Sequence, residues 1–183
     1  TSSKKLLITL SLNLKKINLR PYNSQIDNMR ITKGLSPEDK QAIIHWTNNK
    51  GADFLQQWAG NTLQYPLTIE QLNLLPHCFR IEAEGNFIGM IQKIKVEENN
   101  VHIGRFIINP LRVGKGLGTE AICLFISMLF EEECIHSISL NVFDDNLIAK
   151  NLYTKLGFEI VATVEGERKK HKMMKYAPTY KKL

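Results

Sequence analysis

The sequence predicts one mixed α/β domain whose sheet contains a strand–helix–strand crossover in its second half. The length of 183 residues suits a single domain of ordinary size. The hydrophobic content of 43% and charged content of 23% are typical of globular proteins and unlike disordered or disulfide-rich ones. Apolar residues recur at a helical period in some segments and alternate in others, in the order helix, helix, three strands, helix, strand, helix, strand, strand.

The first 28 residues differ from the rest of the chain. They alternate apolar and polar side chains, as a half-buried strand does, whereas the sequence from Met29 resembles the natural start of a chain. We therefore predict that residues 1–28 are an N-terminal extension, holding at most a short strand and either native or left over from expression. Residues 29–183 are predicted to form the functional domain.

Helix signals dominate the segment after Met29. Ser36 precedes a proline and two acidic residues, which is typical of an N-cap and a first helical turn. A second helix is predicted over 53–58 and a third over 69–74. Thr68 caps the third helix, and Gln71 is expected to complete a capping box.

Strands and two further helices follow. Glu84-Gly85-Asn86 indicates a hairpin turn, and Pro110 ends the third strand. The nearly all-apolar segment 118–134 predicts a helix packed deeply against the sheet. The strands are predicted over 79–83, 87–96, 101–108, 137–143, 158–164 and 171–176, and the last helix over 146–156.

Charge and cysteine usage exclude several classes of protein. The net charge of +6 arises from the ends, because residues 1–28 carry +4, residues 163–183 carry +5 and the intervening body carries −3. This pattern favours solvated tails over a nucleic-acid or membrane contact. Three cysteines without C-x-x-C spacing predict free thiols in the cytoplasm, with no zinc site. No apolar run approaches the ~20 residues of a membrane span.

The strongest chemical signal is a glycine-rich loop between a strand and the buried helix. Alternate glycines let backbone N–H groups point into one concavity at a helix N-terminus, which suits a diphosphate. A Walker A loop is excluded because glycine, and not serine or threonine, follows the lysine. A dinucleotide fingerprint fits the glycine spacing, and dinucleotide binding is the alternative, although too few residues follow for a doubly wound domain. The loop comprises Val113, Gly114, Lys115, Gly116, Leu117, Gly118 and Thr119.

From about Met29 to Tyr176 the chain resembles the GNAT acetyltransferase superfamily, in particular bacterial members that act on ribosomal proteins or small amines. "FIINPLRVGKGLGTEA" places Gly116 and Gly118 at two positions of the family's coenzyme A loop, with Val113 where glutamine or arginine is expected. "NLIAKNLYTKLGF" matches the family's second motif in register. The resemblance implies an α+β fold with a mostly antiparallel central sheet of six to seven strands and about four helices.

The resemblance also implies acetyl-CoA as co-substrate, direct transfer of acetyl to an amine in a ternary complex, and no metal. Tyr153 matches the general acid that protonates the leaving thiolate. Asn146, at the start of the last helix, caps that helix or, by the resemblance, contacts the cofactor or an ordered water, and Ala149 is a further cofactor-binding residue. Main-chain groups of Phe106, Ile107 and Ile108 pair with the pantetheine, beside a strand over 139–143 that splays away.

The sequence indicates the general base and the acetyl acceptor less clearly than the cofactor site. Strand alternation predicts that His102, Gly104, Phe106 and Ile108 share one face, and His102 is the candidate base. Rival candidates are a water relay and four glutamates near strand ends, namely Glu82, Glu84, Glu97 and Glu98. Aromatic residues are expected to wall the substrate side, namely Trp46, Phe54, Trp58 and Tyr65, although a core role is favoured for Trp46 and Trp58. The acceptor is expected to be a small-molecule or peptide amine. The protein is expected to be a monomer or a homodimer. The alternative function is a non-catalytic acyl-CoA-binding module.

Overall fold

One seven-stranded sheet carries five helices in this computed structural model, which describes residues 29–132 and 134–178. The predicted N-terminal extension lies outside the described residues. In chain order the elements are β1 (Met29–Lys33), α1 (Pro37–Lys50), α2 (Ala52–Ala59), α3 (Ile69–Asn73), β2 (Cys78–Ala83), β3 (Asn86–Glu97), β4 (Asn100–Ile108), α4 (Leu117–Phe130), β5 (Ser137–Phe143), α5 (Leu147–Lys155), β6 (Glu159–Val164) and β7 (Lys170–Tyr176).

The strands lie in the order β1-β2-β3-β4-β5-β7-β6. Every neighbouring pair is antiparallel except β4 and β5, which are parallel because α4 crosses over between them. The predicted α+β class and mostly antiparallel sheet are confirmed. No helix among the described residues is long and apolar enough to cross a bilayer.

Local signals set most element boundaries. Ser36 Oγ accepts a hydrogen bond from Asp39 N at 3.1 Å, and the Asp39 carboxylate accepts one from Ser36 N at 3.0 Å, so α1 begins with the predicted cap. Thr68 caps α3 as predicted. The capping box is wrong, because the Gln71 side chain instead bonds both backbone groups of Gln64 in the preceding loop, at 2.7 and 3.0 Å.

The buried helix is shorter than its sequence predicts. It ends at Phe130 and not at Cys134. Three consecutive glutamates follow Phe130, and carboxylates at a helix C-terminus oppose the negative end of the helix dipole. The apolar pattern therefore located the helix correctly but did not locate its end.

Two apolar clusters cover the two faces of the sheet. Helices α4 and α5 pack on one face, where Phe125 and Ile122 of α4 are fully buried. Helices α1–α3 pack on the other face, with Ile43, Leu55 and Leu72 at their centre. This two-sided burial leaves the ends and edges of the strands as the places where a ligand can approach.

A β-bulge at Arg105 divides β4 into two halves. Met90 pairs with Ile107 and Gln92 with Gly104, so one residue of β3 lies opposite two residues of β4, and Arg105 has a φ of 47°. The extra residue reverses the alternation of side chains beyond it.

The shared face predicted for His102, Gly104, Phe106 and Ile108 is therefore wrong. Val101 and Ile103 belong to the cluster on the α4–α5 face, so His102 and Gly104 point toward α1–α3. Phe106 and Ile108 nevertheless pack against the α4–α5 cluster, and Ile107 belongs to the other. The bulge is the physical reason for this reversal.

Strands β4 and β5 diverge after a short parallel ladder. Their pairing covers Asn100–His102 and Ser137–Ser139 only. Beyond it β4 continues along β3 as far as Ile108, while β5 continues along β7 as far as Phe143. The expected splay is present, and it opens a wedge between two strands at the middle of the sheet.

We predict that Gly89→Ala destabilises the fold by about 3 kcal/mol, because an added Cβ would lie 2.1 Å from Ile107 O, a backbone atom opposite the bulge. Urea unfolding monitored by circular dichroism measures the change. Gly166→Ala is the matched control, since its nearest atom would be 3.9 Å away, and a change within about 0.5 kcal/mol is expected. Equal stability of the two variants would contradict the close approach of β3 and β4.

Candidate active site

A cavity of about 800 Å³ lies in the wedge between β4 and β5. It is lined by α2 from one face of the sheet, by α5 from the other, and by the loop between β6 and β7. Because the strands separate here, residues from both faces reach one space. Of the predicted site residues, the lining includes His102, Phe106, Ile107, Ile108, Val113, Asn146, Ala149 and Tyr153.

The glycine loop forms the rim of this cavity and not its wall, since residues 114–119 are outside the lining. Gly114 and Gly116 have φ values of 83° and 79°, in the left-handed region that favours glycine. Gly118 is helical; a Cβ there would lie 3.7 Å from the Ile108 side chain, in ordinary contact. Two of the three glycines therefore have the expected backbone role.

The backbone N–H groups of this loop are available for an anion. Gly116 begins α4 without a side-chain cap, and among the described residues the amides of 113–119 make no hydrogen bond of ordinary geometry beyond the turn that spans Arg112–Lys115. Free N–H groups at the start of a helix form an anion site. Neighbouring Arg112 points elsewhere, with Nη1 lying 3.6 Å from the Glu84 carboxylate.

Helix α5 carries Tyr153 into the cavity. Asn146 Oδ1 caps the helix by accepting a hydrogen bond from Ala149 N at 3.1 Å. The Tyr153 ring packs edge-on against Phe158, with ring centroids 5.6 Å apart. Burial raises the pKa of Tyr153 to about 12, so the phenol keeps its proton at physiological pH.

His102 lines the opposite side of the cavity, on the face covered by α1–α3. Its Nδ1 lies 2.9 Å from Ser139 Oγ and its Nε2 lies 3.3 Å from Asn141 Nδ2. Burial, assisted by the positive charges of Lys172 and Lys95, lowers the pKa of His102 below 6.5. The imidazole is thus neutral at pH 7.

The rival glutamates lie outside the cavity lining. Glu82 pairs with Arg80, Glu84 with Arg112 and Glu97 with Lys95. The hydrogen bond from Lys95 is the main cause that lowers the pKa of Glu97. His102 is therefore the one predicted base candidate that reaches the cavity in the described part of the chain.

Two of the four aromatic residues considered for the substrate side line the cavity. Phe54 and Trp58 of α2 line the cavity. Trp46 instead stacks on Phe87, with centroids 5.4 Å apart, and the Tyr65 hydroxyl donates to Asn48 O at 3.3 Å. Trp46 therefore has the core role that was favoured for it, whereas Tyr65 was wrongly expected on the substrate side because its hydroxyl bonds helix α1.

No pattern in the sequence marks Arg168, which joins three walls of the cavity. Its guanidinium donates to both carboxylate oxygens of Asp145, with the shortest contact 2.7 Å, and to Gln56 Oε1 at 2.9 Å. It also lies 4.0 Å from the centroid of the Phe143 ring. These partners are up to 112 positions away in the chain, so no local pattern reveals them.

Metal binding has no support in the described ranges. No group of three or more histidine, cysteine, aspartate or glutamate side chains converges there. The three cysteines are unpaired thiols, and burial raises the pKa of both Cys78 and Cys123 to about 11.

The cavity between the splayed strands opens beside an uncapped helix N-terminus, an arrangement that suits an extended ligand with an anionic group. The chain belongs to the Acetyltransferase (GNAT) family, whose model matches residues 41–158. It is an acetyl-CoA-dependent N-acetyltransferase, as the resemblance implied.

Individual relatives agree with this assignment. The aminoglycoside N(6′)-acetyltransferase type 1 of Serratia marcescens is 24% identical over 172 residues, covering 82% of this chain and 85% of that protein. The spermidine N(1)-acetyltransferase of Escherichia coli K12 is 34% identical over 92 residues, 49% of this chain and 46% of its own.

Solved structures show the same fold. The spermidine N-acetyltransferase of Vibrio cholerae, in complex with CoA and spermine, superposes with a TM-score of 0.66 at 19% identity, covering 82% of this chain and 96% of its own. An aminoglycoside acetyltransferase in complex with coenzyme A gives a TM-score of 0.64 at 20% identity, with coverages of 81% and 94%.

Proposed function

We propose that this N-acetyltransferase transfers acetyl to a primary amine, on a small molecule or a protein N-terminus, by direct attack in a ternary complex. The observation that carries the proposal is the wedge between β4 and β5, into which His102 and Tyr153 reach from opposite faces of the sheet. Holding thioester and amine at attack distance in such a space can contribute ~7–11 kcal/mol to the rate enhancement.

Acetyl-CoA is proposed to bind along the wedge from its rim. The free N–H groups of 113–119 and the positive end of α4 bind the diphosphate, and Lys115 adds a cation. The pantetheine then follows the unpaired edge of β4, where main-chain groups of Phe106, Ile107 and Ile108 are available beyond the end of the parallel ladder. A backbone N–H there polarises the thioester carbonyl.

Tyr153 is proposed to protonate the leaving thiolate. A phenol with a pKa of about 12 is fully protonated when the reaction begins. Desolvation in the wedge also disfavours a thiolate, so the departing sulfur needs a proton as its bond breaks. A phenol that still carries its proton can supply it, which suits general acid catalysis.

The acceptor is proposed to enter from the α2 side, where Phe54 and Trp58 meet His102. Neutral His102 removes the proton that the amine must lose. The named relatives acetylate aminoglycosides and spermidine, which supports a small amine as the substrate class. Cytoplasmic location and a monomeric or homodimeric state remain predictions.

We expect acetyl-CoA and a panel of primary amines to yield free thiol only when an amine is present. The panel contains aminoglycosides, polyamines, arylalkylamines and N-terminal peptides, and thiol release is followed with a disulfide reagent. Mass spectrometry identifies the acetylated product. Tight CoA binding without turnover of any amine would favour the non-catalytic acyl-CoA-binding module instead.

We predict that Tyr153→Phe lowers kcat at least ~100-fold and leaves the affinity for CoA within about twofold, because only the proton donor is lost. Steady-state kinetics and calorimetry measure the two quantities. Tyr65→Phe is the matched control, since this hydroxyl lies outside the cavity and bonds Asn48 O. A wild-type kcat in Tyr153→Phe would refute the acid assignment.

We predict that Gly116→Ala weakens CoA binding about tenfold, because a left-handed alanine costs ~1–2 kcal/mol and disturbs the loop that presents the N–H groups. Gly34→Ala is the control: its φ of 87° imposes similar strain in open space far from the loop. Calorimetric titration with CoA and with NAD compares the two ligands. Preferential binding of NAD by the wild-type protein would instead support the dinucleotide alternative.

A further inference from the structure

A chain of polar side chains crosses from β4 to β5 at the point where the two strands separate. Asn100 Nδ2 donates to Ser137 Oγ at 2.9 Å, and Ser139 Oγ donates to Asn100 Oδ1 at 2.8 Å. His102 Nδ1 lies 2.9 Å from Ser139 Oγ, and Asn141 Nδ2 lies 3.3 Å from His102 Nε2. All five residues occupy alternate positions that face α1–α3.

The directions of these bonds determine which nitrogen of His102 carries its proton. The single hydroxyl proton of Ser139 is used in the bond to Asn100 Oδ1, so Ser139 Oγ offers only a lone pair to His102. With the Asn100 amide in this orientation, Nδ1 is the protonated nitrogen. Asn141 supports the same assignment from the other side, because its amide donates to Nε2 and needs a lone pair there.

Burial makes this arrangement selective. Ser139 is 1% exposed, so leaving its hydroxyl without partners would be costly. Asn141, in contrast, is exposed at the cavity, and its 3.3 Å contact with His102 is the longest of the four contacts that link these polar side chains. An incoming amine can replace Asn141 at Nε2, whereas nothing from solvent can replace Ser139 at Nδ1.

We infer that Asn100 and Ser139 hold His102 as the Nδ1–H tautomer, so that Nε2 takes the proton from the acceptor amine and Asn141 occupies Nε2 until the amine arrives. This inference rests on the proposed function of the same cavity. Asn100 and Ser139 are positioning residues, because they act through His102.

These assignments account for every bond and proton in the acetyl transfer. The amine nitrogen forms a bond to the acetyl carbon and loses a proton to Nε2, while the carbon–sulfur bond breaks and the thiolate takes the Tyr153 proton. His102 and Tyr153 regain their starting states by exchanging one proton with each other through water. No oxidant, metal or covalent enzyme intermediate is needed.

The charged groups around His102 favour this neutral starting state. Lys95 lies opposite it on β3, Lys172 lies on β7, and Arg105 follows it on β4, and all three oppose a further positive charge. Glu97 is the one carboxylate that counters them in the described chain, and Lys95 already pairs with it. His102 is therefore a base with an available lone pair throughout the neutral pH range.

The test begins with a readout that needs no turnover. Nitrogen–proton NMR of the isotope-labelled full chain reports which imidazole nitrogen is protonated, and His102→Gln identifies the signals of His102 among the five histidines. We expect Nδ1–H in the wild-type protein and a shift toward Nε2–H in Ser139→Ala. Ser127→Ala, a similarly buried serine on α4, is the control that leaves the tautomer unchanged. An Nε2–H tautomer in the wild type overturns the inference.

Kinetics test the consequence. We expect Ser139→Ala to lower kcat/KM about tenfold with CoA affinity unchanged, and Ser127→Ala to stay within about twofold of wild type. Asn141→Asp is a second, exposed variant: a carboxylate accepts at Nε2 while Ser139 still accepts at Nδ1, so it should favour the doubly protonated imidazolium and move the rising limb of the pH profile upward from the wild-type position.

The outcomes separate the inference from the proposed function. Wild-type kinetics and an unmoved pH profile in a Ser139→Ala protein whose tautomer has changed overturn the positioning role, while acetyl transfer still stands. Failure of the wild-type protein to acetylate any amine refutes the proposed function, and the tautomer measurement then still decides how His102 is held.

Discussion

The site depends on one constraint, which is that β4 cannot stay paired with both β3 and β5 along its whole length. It pairs with β3 as far as Ile108 but with β5 only as far as His102. The bulge at Arg105 adds local twist where the two demands conflict, and close contact at Gly89 leaves β3 and β4 no room to relax. The wedge is therefore part of the sheet's own hydrogen-bond pattern and does not require a ligand to open it.

The same bulge determines which side chains of β4 face each side of the wedge. It leaves His102 facing α1–α3 and turns Phe106 and Ile108 toward α4 and α5, where Tyr153 lies. A regular strand would place Phe106 and Ile108 on the same face as His102, whereas the inserted residue turns them toward the face that carries Tyr153. The two halves of β4 thus present side chains to opposite sides of a common cavity.

Signals within a few residues of each other were readable from the sequence. The glycine loop, the caps at Ser36 and Asn146 and the helix carrying Tyr153 depend on local geometry, and each has the expected local structure. The bulge was not readable, because an arginine with positive φ has no sequence signal and the apolar alternation continues through it. The contact of His102 with Ser139 and the bridge from Arg168 to Gln56 depend on strand pairing and chain packing over long separations.

Burial gives the proposed acid and base, Tyr153 and His102, one common property, which is that it favours their uncharged forms. It raises the pKa of Tyr153 to about 12 and lowers that of His102 below 6.5, so desolvation keeps the acid protonated and the base unprotonated. An ammonium entering the same space meets the same cost and is biased toward the neutral amine, the form that attacks a thioester. In the proposed mechanism charge appears only as the bond to sulfur breaks, where Tyr153 would donate a proton and a backbone N–H of β4 would polarise the carbonyl. Desolvation by the wedge therefore prepares the amine as well as the two side chains that exchange protons with it.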